Sequence, residues 1–198
     1  MTRASIPRGS TSIANYDGSL CMNRGPAFGI WITGLPASGK STIVSALRPK
    51  LEALDLTVDV LESDAVRRAL TPQATYSPEE RDLFYRALAF TGQRLVAHGV
   101  TALFDATASR QAYRDLARGM IPHFLEVAVE CPLEVCIQRD RKGTYQKGLR
   151  GESTTVPGLQ TPYESPANPD IRIDTTRVSA DEAAKQICDM LRQRLGHA

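Results

Sequence analysis

From Phe28 onward, short continuous apolar runs alternate with longer stretches of helical periodicity. The run FGIWIT (28–33) reads as a strand buried on both faces, followed by a polar turn and a helix from about Lys40 to Leu54. TVDVLES predicts a second strand that ends against Asp64, TALFDAT a third, FLEVAVEC a fourth and DIRIDT a fifth. Helical patterns fill the intervals near 78–98, 109–119, 132–141 and 179–195. The last opens on Ser179 with Glu182 at capping-box spacing. Strands that alternate with helices predict an α/β fold: a five-stranded parallel sheet with helices on both faces. Ligands of such sheets gather at the carboxyl ends of the strands. There is no internal repeat, so residues 27–198 are expected to form one domain. Two segments fall outside the pattern. Residues 1–26, rich in Ser, Gly, Arg and Asn, read as a flexible arm. Residues 142–168 are polar, Gly/Pro-rich and without period; a loop that long, with lysines and Arg150 in it, reads as a lid.

The turn after the first strand is Gly34-Leu35-Pro36-Ala37-Ser38-Gly39-Lys40-Ser41, and Thr42 follows it. It matches a phosphate-binding loop at every constrained position and lies between a strand and a helix, as such a loop must. Its glycines let successive backbone N–H groups turn toward a phosphate, and the helix behind it adds the positive end of its dipole. Lys40 supplies a cation for the outer phosphates, and the Ser41 hydroxyl is a ligand for Mg²⁺. The fold class is therefore a P-loop NTPase with a nucleoside triphosphate and Mg²⁺ as its expected partners. Two carboxylates end strands on the same side of the sheet. Asp64 is the candidate general base or metal partner, with helix capping as the competing role; Asp105, after ALFD, has the pattern of a metal-side acid.

Composition narrows the partners. The 198 residues carry 24 basic and 22 acidic side chains, a formal net charge of +2, and that balance argues against nucleic acid or a membrane surface as the main partner. No run is long enough to span a bilayer. The four cysteines include no CxxC pair, and no histidine stands at metal-ligand spacing from them. Free thiols fit a reducing, cytoplasmic setting. A chain this small with a basic lid, and with no guanine-reading Asn-Lys-x-Asp segment, fits phosphoryl transfer to a small molecule better than hydrolysis.

The segments CPLEVCIQRDRKGTYQKGLRGE, PYESPANPDIRIDT and YSPEERD, taken with the phosphate loop, resemble the adenylyl-sulfate (APS) kinases of sulfate assimilation, from about Gly29 to Leu191. The resemblance implies Mg²⁺- and ATP-dependent phosphorylation of the 3′-hydroxyl of APS to give PAPS. It implies that Gly34 to Thr42 hold the ATP phosphates, with Arg139 on the ATP side. Asp64 would contact the reacting hydroxyl and metal. Arg67 and Arg81 would grip the phosphosulfate, a role suited to bidentate guanidinium donors. Tyr76 would face the acceptor base, and Lys142 and Lys147 would lie on the lid. Family members are often dimers, and Phe84, Tyr85, Leu88 and Phe90 are too many for one narrow stripe on a helix, which leaves room for a homodimer contact.

The acceptor half departs from the family pattern. Ala65 and Phe84 stand where asparagines are expected, and Val156-Pro-Gly-Leu159 replaces a segment whose aromatic would stack on the acceptor base. FDATASRQAYR resembles the Asp-Ala-Thr segment of other small P-loop kinases. Phe84 and Val156 thus occupy expected acceptor-contact positions with altered chemistry. Three other readings stay open: a kinase for a different nucleotide-linked or sugar-like alcohol, an ATP-binding module without transfer, and a nucleic-acid end kinase. The last would want a concentrated basic groove and more than the 6% aromatic residues found here.

Overall fold

The computed structural model describes residues 26–196, so most of the arm expected over 1–26 lies outside the described residues. In chain order the elements are β1 (Gly29–Gly34), α1 (Lys40–Glu52), β2 (Val58–Glu62), α2 (Ser63–Leu70), α3 (Pro78–Ala97), β3 (Thr101–Asp105), α4 (Gln111–Met120), β4 (Phe124–Glu130), α5 (Leu133–Gln138), α6 (Thr144–Leu149), β5 (Ile171–Asp174) and α7 (Ala180–Gly196). All pairings are parallel, in the order β2-β3-β1-β4-β5. The five strands match the five expected, and their ends differ from expectation by a residue or two.

The inner strands are buried because the sheet is covered twice, while the edge strands β2 and β5 carry exposed charges at Asp59 and Arg172. Every residue of β1 and β3 is buried. On one face Ile30, Ile32, Leu103 and Val127 pack with Ile43, Leu47 and Leu51 of α1 and Ile187 and Leu191 of α7. On the other, Trp31, Phe104 and Phe124 pack with Phe84, Tyr85 and Leu88 of α3 and Tyr113 and Ala117 of α4. The crowded apolar positions of α3 are thus divided. Phe84, Tyr85 and Leu88 belong to the core, while Leu83 and Phe90 face outward and line an open groove with Ala87, Leu116 and Met120. No helix among the described residues is long and apolar enough to cross a membrane.

Two expectations need correction. Asp64 does not end a strand; β2 stops at Glu62, and Asp64 is the second residue of α2. The segment 142–168 is not without structure, since it contains α6 and is pinned along its length, among other places at Tyr163 and Glu164. Asp140 accepts hydrogen bonds from the N–H groups of Thr144 (3.0 Å) and Tyr145 (2.6 Å). The Tyr145 hydroxyl donates to the Pro36 carbonyl (3.1 Å), and Arg81 donates to the Thr155 carbonyl (2.9 Å). Tyr145, Val156 and Cys136 form a small core against Leu35, Leu133, Ile137 and Leu159. A six-residue helix is too short to display a period, which is why the pattern did not announce it.

Candidate active site

The phosphate loop joins β1 to α1 across residues 35–39, at the carboxyl edge of the sheet. Two glycines are needed for separate reasons. A Cβ at Gly34 would lie 2.6 Å from the Val129 carbonyl oxygen, and Gly39 has φ +104°, a conformation that side chains resist. Ala37 also sits at positive φ, 58°. Within this turn the Ser38 hydroxyl is buried and has no hydrogen-bond partner among the described residues. Buried polar atoms are rarely left so. Lys40 is buried, and its ammonium donates to the Leu35 carbonyl at 2.8 Å. Burial lowers its proton affinity, while Asp105 and Asp64 act to restore it. Ser41 and Thr42 stand exposed in the first turn of α1, where backbone donors and helix dipole favour negative charge.

Opposite the loop, β2 and β3 are paired with Glu62 in register with Asp105. Asp105 is therefore at the end of its strand beside the start of α2, and it is 5% exposed. Asp64 lies in the first turn of α2 with its side chain 56% exposed. It is not the N-cap; Glu62 holds that position, without a side-chain capping bond. Lys142 reaches Asp64 at 2.8 Å and Glu62 at 3.8 Å. The hydrogen bond to Asp64 raises the Lys142 pKa. A carboxylate has about four acceptor directions, so Asp64 still has room to accept a substrate hydroxyl.

A second cluster adjoins these carboxylates. The Arg67 guanidinium lies 3.8 Å from the Phe84 ring centroid and 4.8 Å from that of Tyr76, and its Nη1 bonds Glu80 at 2.8 Å. Arg81 sits 5.5 Å from the Tyr76 ring and donates to the Tyr76 carbonyl (3.1 Å). Tyr76 is 42% exposed and held at φ 56°. The structure thus brings Arg67, Tyr76, Arg81 and Phe84 together, with half-buried Ala65 in the first turn of α2 nearby in sequence. It also places the other two expected acceptor contacts. Phe84 is 2% exposed, with the Arg67 guanidinium over its face. Val156 is 4% exposed, sealed into the small core with Tyr145 and Cys136.

Arg139 and Thr175 brace the phosphate loop from outside. Arg139 donates to the Thr175 hydroxyl and carbonyl (both 3.2 Å), and the Thr175 hydroxyl donates to the Ser38 carbonyl (2.8 Å). Lys147 is exposed near the end of α6. Sequence reasoning passed over Thr175 and Glu80. Glu80 carried a readable signal, because Ser77-x-x-Glu80 is a capping-box spacing, and the Ser77 hydroxyl does accept from the Glu80 N–H (3.2 Å).

A loop of phosphate-binding form, the nearby carboxylates Asp64 and Asp105 and a neighbouring arginine pair make up the candidate site, and comparison with known proteins gives it a lineage. The adenylylsulphate kinase family model matches residues 26–174. The chain belongs to the adenylylsulphate kinase family. It is 41% identical over 164 residues to the adenylyl-sulfate kinase of Gloeothece citriformis, covering 83% of this chain and 93% of that protein. It is 39% identical over 162 residues to a probable adenylyl-sulfate kinase of Pseudomonas aeruginosa, covering 82% and 76%. Among solved structures, the Mycobacterium tuberculosis APS kinase in complex with AMPPNP and APS superposes with a TM-score of 0.79 at 33% identity, covering 85% of this chain and 99% of that one. Membership in the adenylylsulphate kinase family makes the chain an ATP-dependent kinase of the P-loop fold.

Proposed function

We infer that the chain transfers the terminal phosphate of ATP to the 3′-hydroxyl of adenylyl sulfate, forming PAPS. One observation carries this reading beyond family membership: Asp105 ends β3 in register with Glu62, and α2, which starts directly after Glu62, carries both Asp64 and Arg67. Nucleotide loop, carboxylates and anion-binding arginine therefore share one edge of the sheet.

In this reading the 34–42 turn wraps the ATP phosphates with its backbone N–H groups. Lys40 exchanges the Leu35 carbonyl for phosphate oxygens and draws off charge as the bond to the leaving oxygen lengthens. Asp64 accepts the hydrogen of the acceptor hydroxyl and aims its oxygen in line. Arg67 and Arg81 hold the phosphosulfate, and Tyr76 offers an exposed ring to the acceptor base. Residues 142–168 act as the lid: Lys142 reaches the carboxylates, and Tyr145 docks the segment on the phosphate loop, excluding water from the transfer. Mg²⁺ fits the donor set, since Ser41, Asp64 and Asp105 all offer hard oxygens; when bound it would neutralise charge on the transferring phosphate. No group of three His, Cys, Asp or Glu side chains among the described residues forms a metal cage, which suits an ion held largely by nucleotide and water.

Phe84 and Ala65, where the family pattern has amides, favour a second reading in which a related anionic alcohol is the acceptor. Steady-state ADP release with Mg·ATP decides between them, run with APS, with no acceptor, and with a panel of nucleotide and sugar alcohols. Saturable turnover with APS at micromolar concentration, with PAPS identified by mass, is the expected result. Turnover confined to another acceptor would replace APS in the account.

A further inference from the structure

The acceptor-side arginine is held by a residue with no role so far. Glu80, in the first turn of α3, spans two structures with its two oxygens. Oε1 accepts from Arg67 Nη1 at 2.8 Å. Oε2 accepts from the Thr75 hydroxyl (2.7 Å), the Thr75 N–H, and the Tyr76 N–H (3.2 Å). The side chains of this pair are 9% (Arg67) and 14% (Glu80) exposed, so the bond is shielded from competing water. Phe84 supports the guanidinium from its other side at 3.8 Å. Tyr76, in a left-handed conformation that costs a non-glycine residue about 1–2 kcal/mol, is kept there partly by its N–H bond to Glu80. The hydrogen bond from the Thr75 hydroxyl, with those from the Thr75 and Tyr76 N–H groups and the charge of Arg67, also lowers the Glu80 pKa.

We propose that Glu80 is a positioning residue for the acceptor. It fixes the Arg67 guanidinium and the Tyr76 ring in one arrangement before substrate arrives, and it touches neither reacting atom. This rests on the reading of Arg67 and Tyr76 as acceptor contacts. It also explains Phe84, whose phenyl ring gives a flat support for the guanidinium that an amide would not provide. The division of labour predicts a selective defect, because pre-ordered contacts to the remote part of a substrate govern its binding more than the chemical step.

The test compares wild type, Glu80→Gln, Arg67→Ala and the double variant by calorimetric APS binding in the presence of ADP, and by steady-state kinetics. Glu80→Gln is expected to weaken APS binding and raise the APS KM by about tenfold, with kcat within about twofold and the ATP KM unchanged. In the Arg67→Ala background the same change should add little, because the two residues act as a unit. Equal APS affinity in wild type and Glu80→Gln, or fully multiplicative effects in the double variant, would overturn the proposal. Failure of wild type to bind APS would instead overturn the acceptor assignment itself. Thr75→Val, which removes only one hydroxyl donor to Oε2, carries the test if Glu80→Gln does not fold: a raised APS KM supports the role, and an unchanged one refutes it.

Discussion

Lys40 shows how much one residue's surroundings decide. Buried and bonded to its own loop, it waits as the charge that the outer phosphates will meet. Lys40→Ala should lower kcat/KM by about 10²–10³, the usual cost of removing one donor aimed at developing charge, with little change in melting temperature. Turnover within a few-fold of wild type would remove the lysine from the mechanism. Burial lowers its pKa, so its charge is lost on the alkaline side before that of an ordinary lysine at 10.5. ATP affinity should therefore weaken as pH rises toward that value in wild type, and show no such trend in Lys40→Met, measured by nucleotide titration. The loop itself was legible letter by letter, because backbone geometry dictates each of its residues. The environments of Phe84 and Val156 were not. A family position says which residue type is expected there, while the stacking of Phe84 under Arg67, or of Val156 against Leu35, Leu133 and Cys136, arises only when distant parts of the chain meet.

Among the elements, α3 does two tasks: its first turn carries Glu80 and Arg81, and its last half seats on β3. Gly92 marks the seat, since a Cβ there would fall 2.1 Å from the Phe104 ring edge. Gly→Ala within a helix normally stabilises by about 0.5–1 kcal/mol, whereas overpacking a closed core costs about 1–3 kcal/mol. The clash is severe and Phe104 is stacked 4.4 Å from Trp31, which restricts its retreat, so the second effect wins. Gly92→Ala should lower stability by about 1–2 kcal/mol in urea unfolding. Unchanged or increased stability would mean that α3 does not press on β3 as described. The five strands and the long helices were readable because two-sided burial and helical period leave strong patterns. Helix α6 left none, being six residues long and fixed by Asp140, Pro36 and its neighbours rather than by a stripe of its own.

At the scale of the molecule, one buried ion network fastens the half of the sheet away from Asp64. Glu126 of β4, 2% exposed, meets Arg114 (2.7 Å) and Arg118 (3.1 Å) of α4. Arg118 continues to Asp170 (3.0 Å), which Arg194 of α7 also bonds. Removing one partner strands buried charge, so Glu126→Ala should cost about 3–5 kcal/mol; a loss under about 1 kcal/mol would show that water compensates. Burial opposes the charge of Asp170, but hydrogen bonds from the Glu126 N–H, Arg194 and Arg118 outweigh it and lower its pKa below the ordinary 3.8. Its contribution to stability is thus complete above that value and is lost as pH falls through the lowered folded one. Acid melting curves should show this loss in wild type and less of it in Asp170→Asn. The measurement that tests the central claim most directly is product analysis by mass for wild type and Asp64→Asn, given Mg·ATP and APS. The account predicts PAPS from wild type, with ATP binding retained and PAPS formation abolished in Asp64→Asn. PAPS from the variant at a rate within a few-fold of wild type, or none from wild type, would contradict it.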